Sequence, residues 1–160
     1  MVGKSQKNTS NGGETMISSF DDLIEKVKQL DKFKVCVAAA EDEEVLRAVK
    51  MAMDIGFIEP ILVGDKVKID AIAAKIGLTD YEVVDSSDED AALDAVKIIK
   101  SGRASVLMKG LVNTSVYMRA VLNREYGLRT GRLLSLIAAY EIPGYHKLLY
   151  CTDSGVNVSP

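Results

Sequence analysis

Between Lys34 and Arg124, short apolar runs alternate four times with segments of helical period, each pair about twenty residues long. Lys34–Ala40, KVCVAAA, is nearly all apolar and β-branched at Val35 and Val37, which suits a strand buried on both faces. It is followed by a stripe of Val45, Leu46, Val49, Ala52 and Met53 that predicts a helix ending at Gly56. The same pair recurs as strand Ile61–Val63 with a helix through Val67, Ile69, Ile72 and Ile76 that stops at Gly77. It recurs again as strand Tyr81–Val84 with helix Asp88–Lys100, and as strand Ser105–Met108 with helix Asn113–Arg124. Parallel neighbours need crossovers of about a dozen residues, and these helices supply them. The expected class is α/β, a parallel sheet with helices on both faces in three α/β/α layers.

The flanks are less regular. Ser19 is placed to cap an amphipathic helix carrying Phe20, Leu23, Ile24, Val27 and Leu30. After the fourth unit a further helix is expected over Gly131–Ala139 and a last strand over Lys147–Thr152. Residues 1–15 are polar, rich in glycine and without apolar periodicity, and they read as a disordered leader or cloning scar. With 48% hydrophobic residues, positions 16–160 have enough apolar material for one folded domain.

Composition excludes several classes of function. A net charge of −3 and a sequence pI near 5.2 argue against nonspecific nucleic-acid binding. No apolar run approaches the roughly 20 residues of a membrane-crossing helix, so a cytoplasmic protein is expected. Cys36 and Cys151 each sit in an apolar strand-like run and are expected to be buried thiols. His146 is the one histidine and lies in a loop, so no metal site is expected.

The charge is unevenly distributed. From Ser101 to Ser135 there are six cations, Arg103, Lys109, Arg119, Arg124, Arg129 and Arg132, and one carboxylate, Glu125. That stretch carries +5 and the remainder −8, which points to an anionic ligand. In open parallel sheets, ligands collect beyond the carboxyl ends of the strands, where helix N-termini present free N–H groups. The turn after the first strand, Glu41-Asp42-Glu43-Glu44, would repel a phosphate. The turn after the fourth offers Lys109, Gly110, Asn113, Thr114 and Ser115, either as a phosphate cradle or as an ordinary helix cap with a solvated lysine. Arg129, Thr130, Gly131 and Arg132 follow in a glycine-bounded loop, either an anion-binding loop or a helix end dressed with cations. Thr152-Asp153-Ser154-Gly155 and Asn157 close the chain with polar groups that could bond a ligand or turn the chain. No dinucleotide fingerprint or Walker-type loop occurs.

MKGLVNTS from Met108, VLNREYGLRTGRLLS from Val121 and TDSGVNVSP from Thr152 stand in this order. Together with FDDLIEKVKQ, KVCVAAAEDEEVLRAVK and PILVGD they resemble the phosphate acetyl/butyryltransferase family over about Met16 to Pro160. The resemblance implies reversible transfer of a short acyl group between coenzyme A and inorganic phosphate, with no bound cofactor and a homo-oligomer such as a dimer. It implies an isocitrate dehydrogenase-like first lobe, with residues 16–160 as the amino-terminal lobe and the second lobe missing. It implies that Lys109 and Asp153 take catalytic positions. Gly110, Asn113, Thr114, Ser115, Arg129, Thr130, Arg132 and Asn157 would then bind the substrates. Leu136 stands where many relatives have a histidine. The alternatives are a phosphate acetyltransferase and a noncatalytic phosphate- or coenzyme A-binding lobe that needs a partner chain.

Overall fold

A computed structural model describes residues 17–153, so the expected leader, Ser154, Gly155 and Asn157 lie outside the described residues. The chain divides into two compact units. The larger is Lys26–Leu134, and the smaller draws on residues 17–25 and 135–153.

The larger unit holds the repeated pairs. Strands β1 (Phe33–Ala38), β2 (Ile58–Gly64), β3 (Glu82–Asp85) and β4 (Val106–Lys109) form one parallel sheet in the order β3-β2-β1-β4. Their side chains alternate between two apolar layers, as the period of a strand requires. Val35, Val37 and Leu62 pack with Leu46, Val49, Ile69 and Ala73 on one face. Cys36, Ala38, Ile61 and Val63 pack with Ala91, Ala95 and Ile98 on the other. The first face carries helices α2 (Glu43–Ile55) and α3 (Lys66–Ile76), and the second carries α4 (Ala91–Lys100), against which α5 (Thr114–Val121) is laid through Ala92, Val96 and Ala120. The three-layer expectation is met.

β2 runs longer than the expected Ile61–Val63, because Glu59 and Pro60 interrupt its apolar signal without ending the strand. Pro60 is tolerated because β3 pairs only from Ile61 onward, so the missing N–H meets no partner strand on that side. The helix ends follow local chemistry. Asp42 accepts from the Val45 N–H at 3.0 Å, and Gly56 at φ +98 closes α2 in the left-handed conformation. Replacing Asp42 with alanine is expected to cost about 1 kcal/mol in urea unfolding, the usual worth of a cap; an unchanged midpoint would remove the cap from the account.

The smaller unit corrects two expectations. No helix forms over Gly131–Ala139: the chain is irregular to Leu136, and Ile137–Tyr140 is a strand, β5. It pairs antiparallel with β6 (Leu149–Thr152), so the last strand builds a separate two-stranded sheet and does not extend the parallel one. The physical reason is visible in Leu133, Leu134, Leu136 and Ile137, all exposed, which find no surface on which a helical stripe could be buried. The expected burial of both thiols also divides: Cys36 is buried and Cys151 only partly so. Burial pushes the Cys36 thiol up to about 12, which keeps it protonated and inert.

Helix α1 (Phe20–Val27) is shorter than the expected stripe to Leu30. Its start is a reciprocal cap. The Ser19 hydroxyl accepts from Asp22 N–H at 3.1 Å, while the Asp22 carboxylate accepts from the Ser18 hydroxyl and from the Ser18 and Ser19 N–H groups. Those bonds, the Ser18 hydroxyl foremost, hold the Asp22 carboxyl down to about 2. No helix among the described residues is long and apolar enough to cross a membrane.

Candidate functional site

The strand order reverses between β1 and β4: from β1 the chain moves outward to β2 and β3, then returns to place β4 on the other side. In an open parallel sheet, that switch point is where a ligand crevice forms beyond the strand carboxyl ends. The two turns there are the one after β1, Ala39–Asp42, and the one after β4, Gly110–Asn113. They are joined by backbone. Gly110 N–H donates to the Ala38 carbonyl and Leu111 N–H to the Ala39 carbonyl, both at 2.8 Å, with Ala39 itself at φ 55.

Gly110 therefore serves a different approach from the one expected. A Cβ at this position would lie 2.6 Å from the Ala38 carbonyl oxygen and closer still to that of Ala39. The close neighbour is the preceding turn of the chain, not open space for a ligand. Lys109, the last residue of β4, donates from its ammonium to the Gly110 carbonyl at 3.3 Å. Asn113 caps α5: its side-chain oxygen accepts from both the N–H and the hydroxyl of Ser115 at 2.9 Å. Thr114 and Ser115 are exposed on the first turn of the helix, with no carboxylate in that turn.

The second cationic element is held at its base. The helix expected to run to Arg124 ends at Val121, because Asn123 turns the chain by accepting the Glu125 and Tyr126 N–H groups at 2.8 and 2.9 Å. Gly127 N–H returns to the Asn123 carbonyl and Leu128 N–H to that of Val121, at 3.1 and 2.8 Å. Lys100, the last residue of α4, donates to the Glu125 carbonyl at 2.7 Å, and Leu128 packs against the α4–α5 cluster. From this fixed base Arg129, Thr130, Gly131 and Arg132 run outward, all exposed, with Gly131 at φ 79. Arg132 N–H reaches the Thr130 hydroxyl at 3.4 Å.

Seven cations of the larger unit stand in ion pairs: Arg47 and Lys75 with Glu43, Lys50 with Asp54, Lys66 with Asp70, Lys68 with Asp65, Lys97 with Asp94, and Arg103 with Glu82. Among the described residues Lys109, Arg119, Arg124, Arg129 and Arg132 join no ion pair. Five cations without carboxylate partners, on a segment with one acid, form a local field that favours a polyanion.

Asp153 follows β6 in the smaller unit at φ 59. Its N–H donates to the Leu136 carbonyl at 2.8 Å and its carboxylate accepts the Leu136 N–H at 3.2 Å, closing the open end of the β5–β6 pair. His146 lies in the β5–β6 connection with its ring 4.8 Å from that of Tyr145. A group that the sequence reading passed over is Glu41, whose Oε2 is buried and without a hydrogen-bond partner. A run of four acids gave no sign that its first member folds inward while the next three serve the helix end.

Comparison with known proteins agrees with the resemblance read from the sequence. The family model described as Phosphate acetyl/butaryl transferase matches residues 19–92. The chain is 47% identical over 148 residues to a phosphate butyryltransferase of Clostridium beijerinckii, covering 91% of this chain and 49% of that protein. It is 46% identical over 148 residues to the phosphate butyryltransferase of Clostridium acetobutylicum, with the same coverage of 91% and 49%. Among solved structures, a phosphotransacetylase from Streptococcus pyogenes shares the fold with a TM-score of 0.61 at 18% identity, covering 76% of this chain and 47% of that one. The chain thus spans about half the length of the curated relatives it matches.

Proposed function

We propose that this chain forms the amino-terminal, anion-binding part of a phosphate acyltransferase of the butyryl type. Its reaction is the reversible transfer of a short acyl group between coenzyme A and inorganic phosphate. The observation that carries this reading is the 47% identity to a phosphate butyryltransferase along 91% of the chain. The unmatched cations at and after the switch-point turn support it, because both substrates are rich in phosphate.

In the direction of acyl-CoA synthesis, the coenzyme A thiolate attacks the carbonyl carbon of the acyl phosphate. A C–S bond forms, the carbonyl oxygen takes the negative charge, and collapse of the tetrahedral adduct breaks the C–O bond and releases phosphate. Charge grows on the carbonyl oxygen and on the leaving phosphate, so cations must be aimed at both. Lys109 is assigned to the acyl phosphate. Arg129 and Arg132 are assigned to the phosphates of coenzyme A or to inorganic phosphate, for which planar guanidinium forks are suited. Thr114 and Thr130 are assigned as hydroxyl donors, Ser115 as one once its hydroxyl is released from Asn113, Asn113 and Gly110 to holding the turns, Asp153 to a catalytic position and Asn157 to substrate binding. The reading includes residues 16–160 as the first of two lobes, a cytoplasmic setting, a homo-oligomer, and coenzyme A and phosphate as substrates with no resident cofactor.

The test is coenzyme A-dependent release of phosphate from butyryl phosphate and acetyl phosphate, alongside calorimetric titration with coenzyme A. Turnover faster with butyryl phosphate is the expected result. Binding without turnover would reduce the chain to a binding lobe, and neither binding nor turnover would sink the reading. Arg129→Ala is expected to weaken coenzyme A binding by about 1.5–3 kcal/mol, the range for a charged hydrogen bond. Unchanged affinity would remove Arg129 from the site.

A further inference from the structure

We infer that Lys109 is a site of self-acylation: where acyl phosphate accumulates without coenzyme A to take the acyl group, the Lys109 amine receives it as an amide. This rests on the functional reading above, which supplies the acyl phosphate. Among Lys109, Arg119, Arg124, Arg129 and Arg132, which join no ion pair, Lys109 is the one primary amine. Guanidinium groups stay protonated, whereas a lysine amine can attack a carbonyl carbon. An acyl phosphate drawn to this segment therefore meets a single amine there. Lys109 is exposed at the end of β4, and its Nζ makes one hydrogen bond, a long one of 3.3 Å to the Gly110 carbonyl. The neighbouring turn after β1 carries four acids, yet they are committed elsewhere. Glu41 folds over Gly64, where a Cβ would lie 2.9 Å from its Cδ, and Asp42 caps α2. Glu43 bonds Arg47 and Lys75, and Glu44 belongs to the first turn of α2.

Other lysines of the larger unit lack this combination. Hydrogen bonds to Asp70, Asp65 and Asp94 hold the Lys66, Lys68 and Lys97 amines above the ordinary lysine range, which keeps them protonated. Lys32 and Lys34 are exposed and join no ion pair, but they line one groove with Glu59 and Asp80, whose charge turns an acyl phosphate away. At Lys109 the ammonium first gives a proton to water. The free amine attacks the carbonyl carbon of the acyl phosphate and a C–N bond forms. Collapse of the tetrahedral adduct breaks the C–O bond, the phosphate leaves with the electron pair, and the nitrogen passes its surplus proton to solvent. The products are an amide and inorganic phosphate. The amide carries no charge, so the stretch from Ser101 to Ser135 keeps five of its six cations, and acyl phosphate in excess weakens the site that attracts it.

Peptide mapping by mass spectrometry, after incubation of the full chain with butyryl phosphate in the absence of coenzyme A, tests this. Lys109 is expected to be butyrylated about tenfold faster than Lys32 or Lys34, the lower end of the enrichment that a charged site gives its counter-ions. The comparison is made within one wild-type chain, so no variant has to fold. The excess is expected to fall in high salt, which screens the cations around Lys109 and the acids around Lys32 and Lys34 alike. The N-hydroxysuccinimide ester of butyrate, a neutral reagent, is the control for simple accessibility and is expected to show little preference for Lys109. Calorimetric titration of the same chain with coenzyme A and with inorganic phosphate separates the two readings. No preference with butyryl phosphate, or one of equal size with the neutral ester, in a chain that binds coenzyme A overturns the acylation site and leaves the functional reading standing. A chain that binds neither coenzyme A nor phosphate overturns the functional reading and this inference with it.

Discussion

Gly110→Ala is expected to destabilise the larger unit by more than about 3 kcal/mol, beyond the usual range for an overpacked site. The added methyl would meet backbone on two sides, the carbonyl oxygens of Ala38 and Ala39, rather than a side chain that could swing away. To admit it the two turns would have to part, and parting them breaks the bonds from Gly110 and Leu111 N–H to those same carbonyls. The cost is thus steric and hydrogen-bonded together. Gly56→Ala is the control: a Cβ there meets nothing within 4 Å, so its cost is confined to the left-handed backbone, about 1–2 kcal/mol. Urea unfolding of the two variants separates the causes. A Gly110→Ala variant no less stable than Gly56→Ala would mean that the two turns are not zipped together.

The same turn shows where a sequence can and cannot be read. The four strand–helix pairs were legible because each apolar run is short, each helix carries an apolar stripe, and α2 and α3 stop at glycines in the left-handed conformation. A glycine beside a lysine at a strand end is also visible in sequence, but its reason is not. A ligand and a neighbouring turn ask for the same missing Cβ, and only the parallel pairing of β1 with β4 puts Ala39 there. Glu41 was hidden for a similar reason, since its burial depends on Gly64, twenty-odd positions away and one strand over. Over Gly131–Ala139 a helix was expected, yet apolar residues yield a helix only where a surface receives their stripe, and Leu133 remains 71% exposed. The cations were legible as a charge imbalance. That five of them lack carboxylate partners while Arg103 is paired with Glu82 became clear only once the side chains were placed.

Gly127→Ala is expected to cost about 2–3 kcal/mol and to weaken anion binding at the same time, and the pairing of these two effects tests the site itself. Its Cβ would lie 2.6 Å from the Val121 carbonyl oxygen and 2.7 Å from the Asn123 nitrogen, again backbone on more than one side. Relief requires the Asn123–Gly127 turn to open, which releases the Leu128 N–H from Val121 and lifts Leu128 off the α4–α5 cluster. Arg129 and Arg132 start from that anchor, so a shifted base moves both guanidinium groups without altering their charge. An arginine pair that binds phosphate by directed forks loses affinity when displaced, whereas a diffuse positive field is nearly indifferent to such a shift. Calorimetric titration with coenzyme A, under conditions where the variant is fully folded, distinguishes the two. Affinity reduced about as far as by Arg129→Ala would mean that the loop binds through its geometry. Full affinity in a destabilised variant would reduce these cations to a general attraction and move the phosphate contacts back to Lys109 and the start of α5.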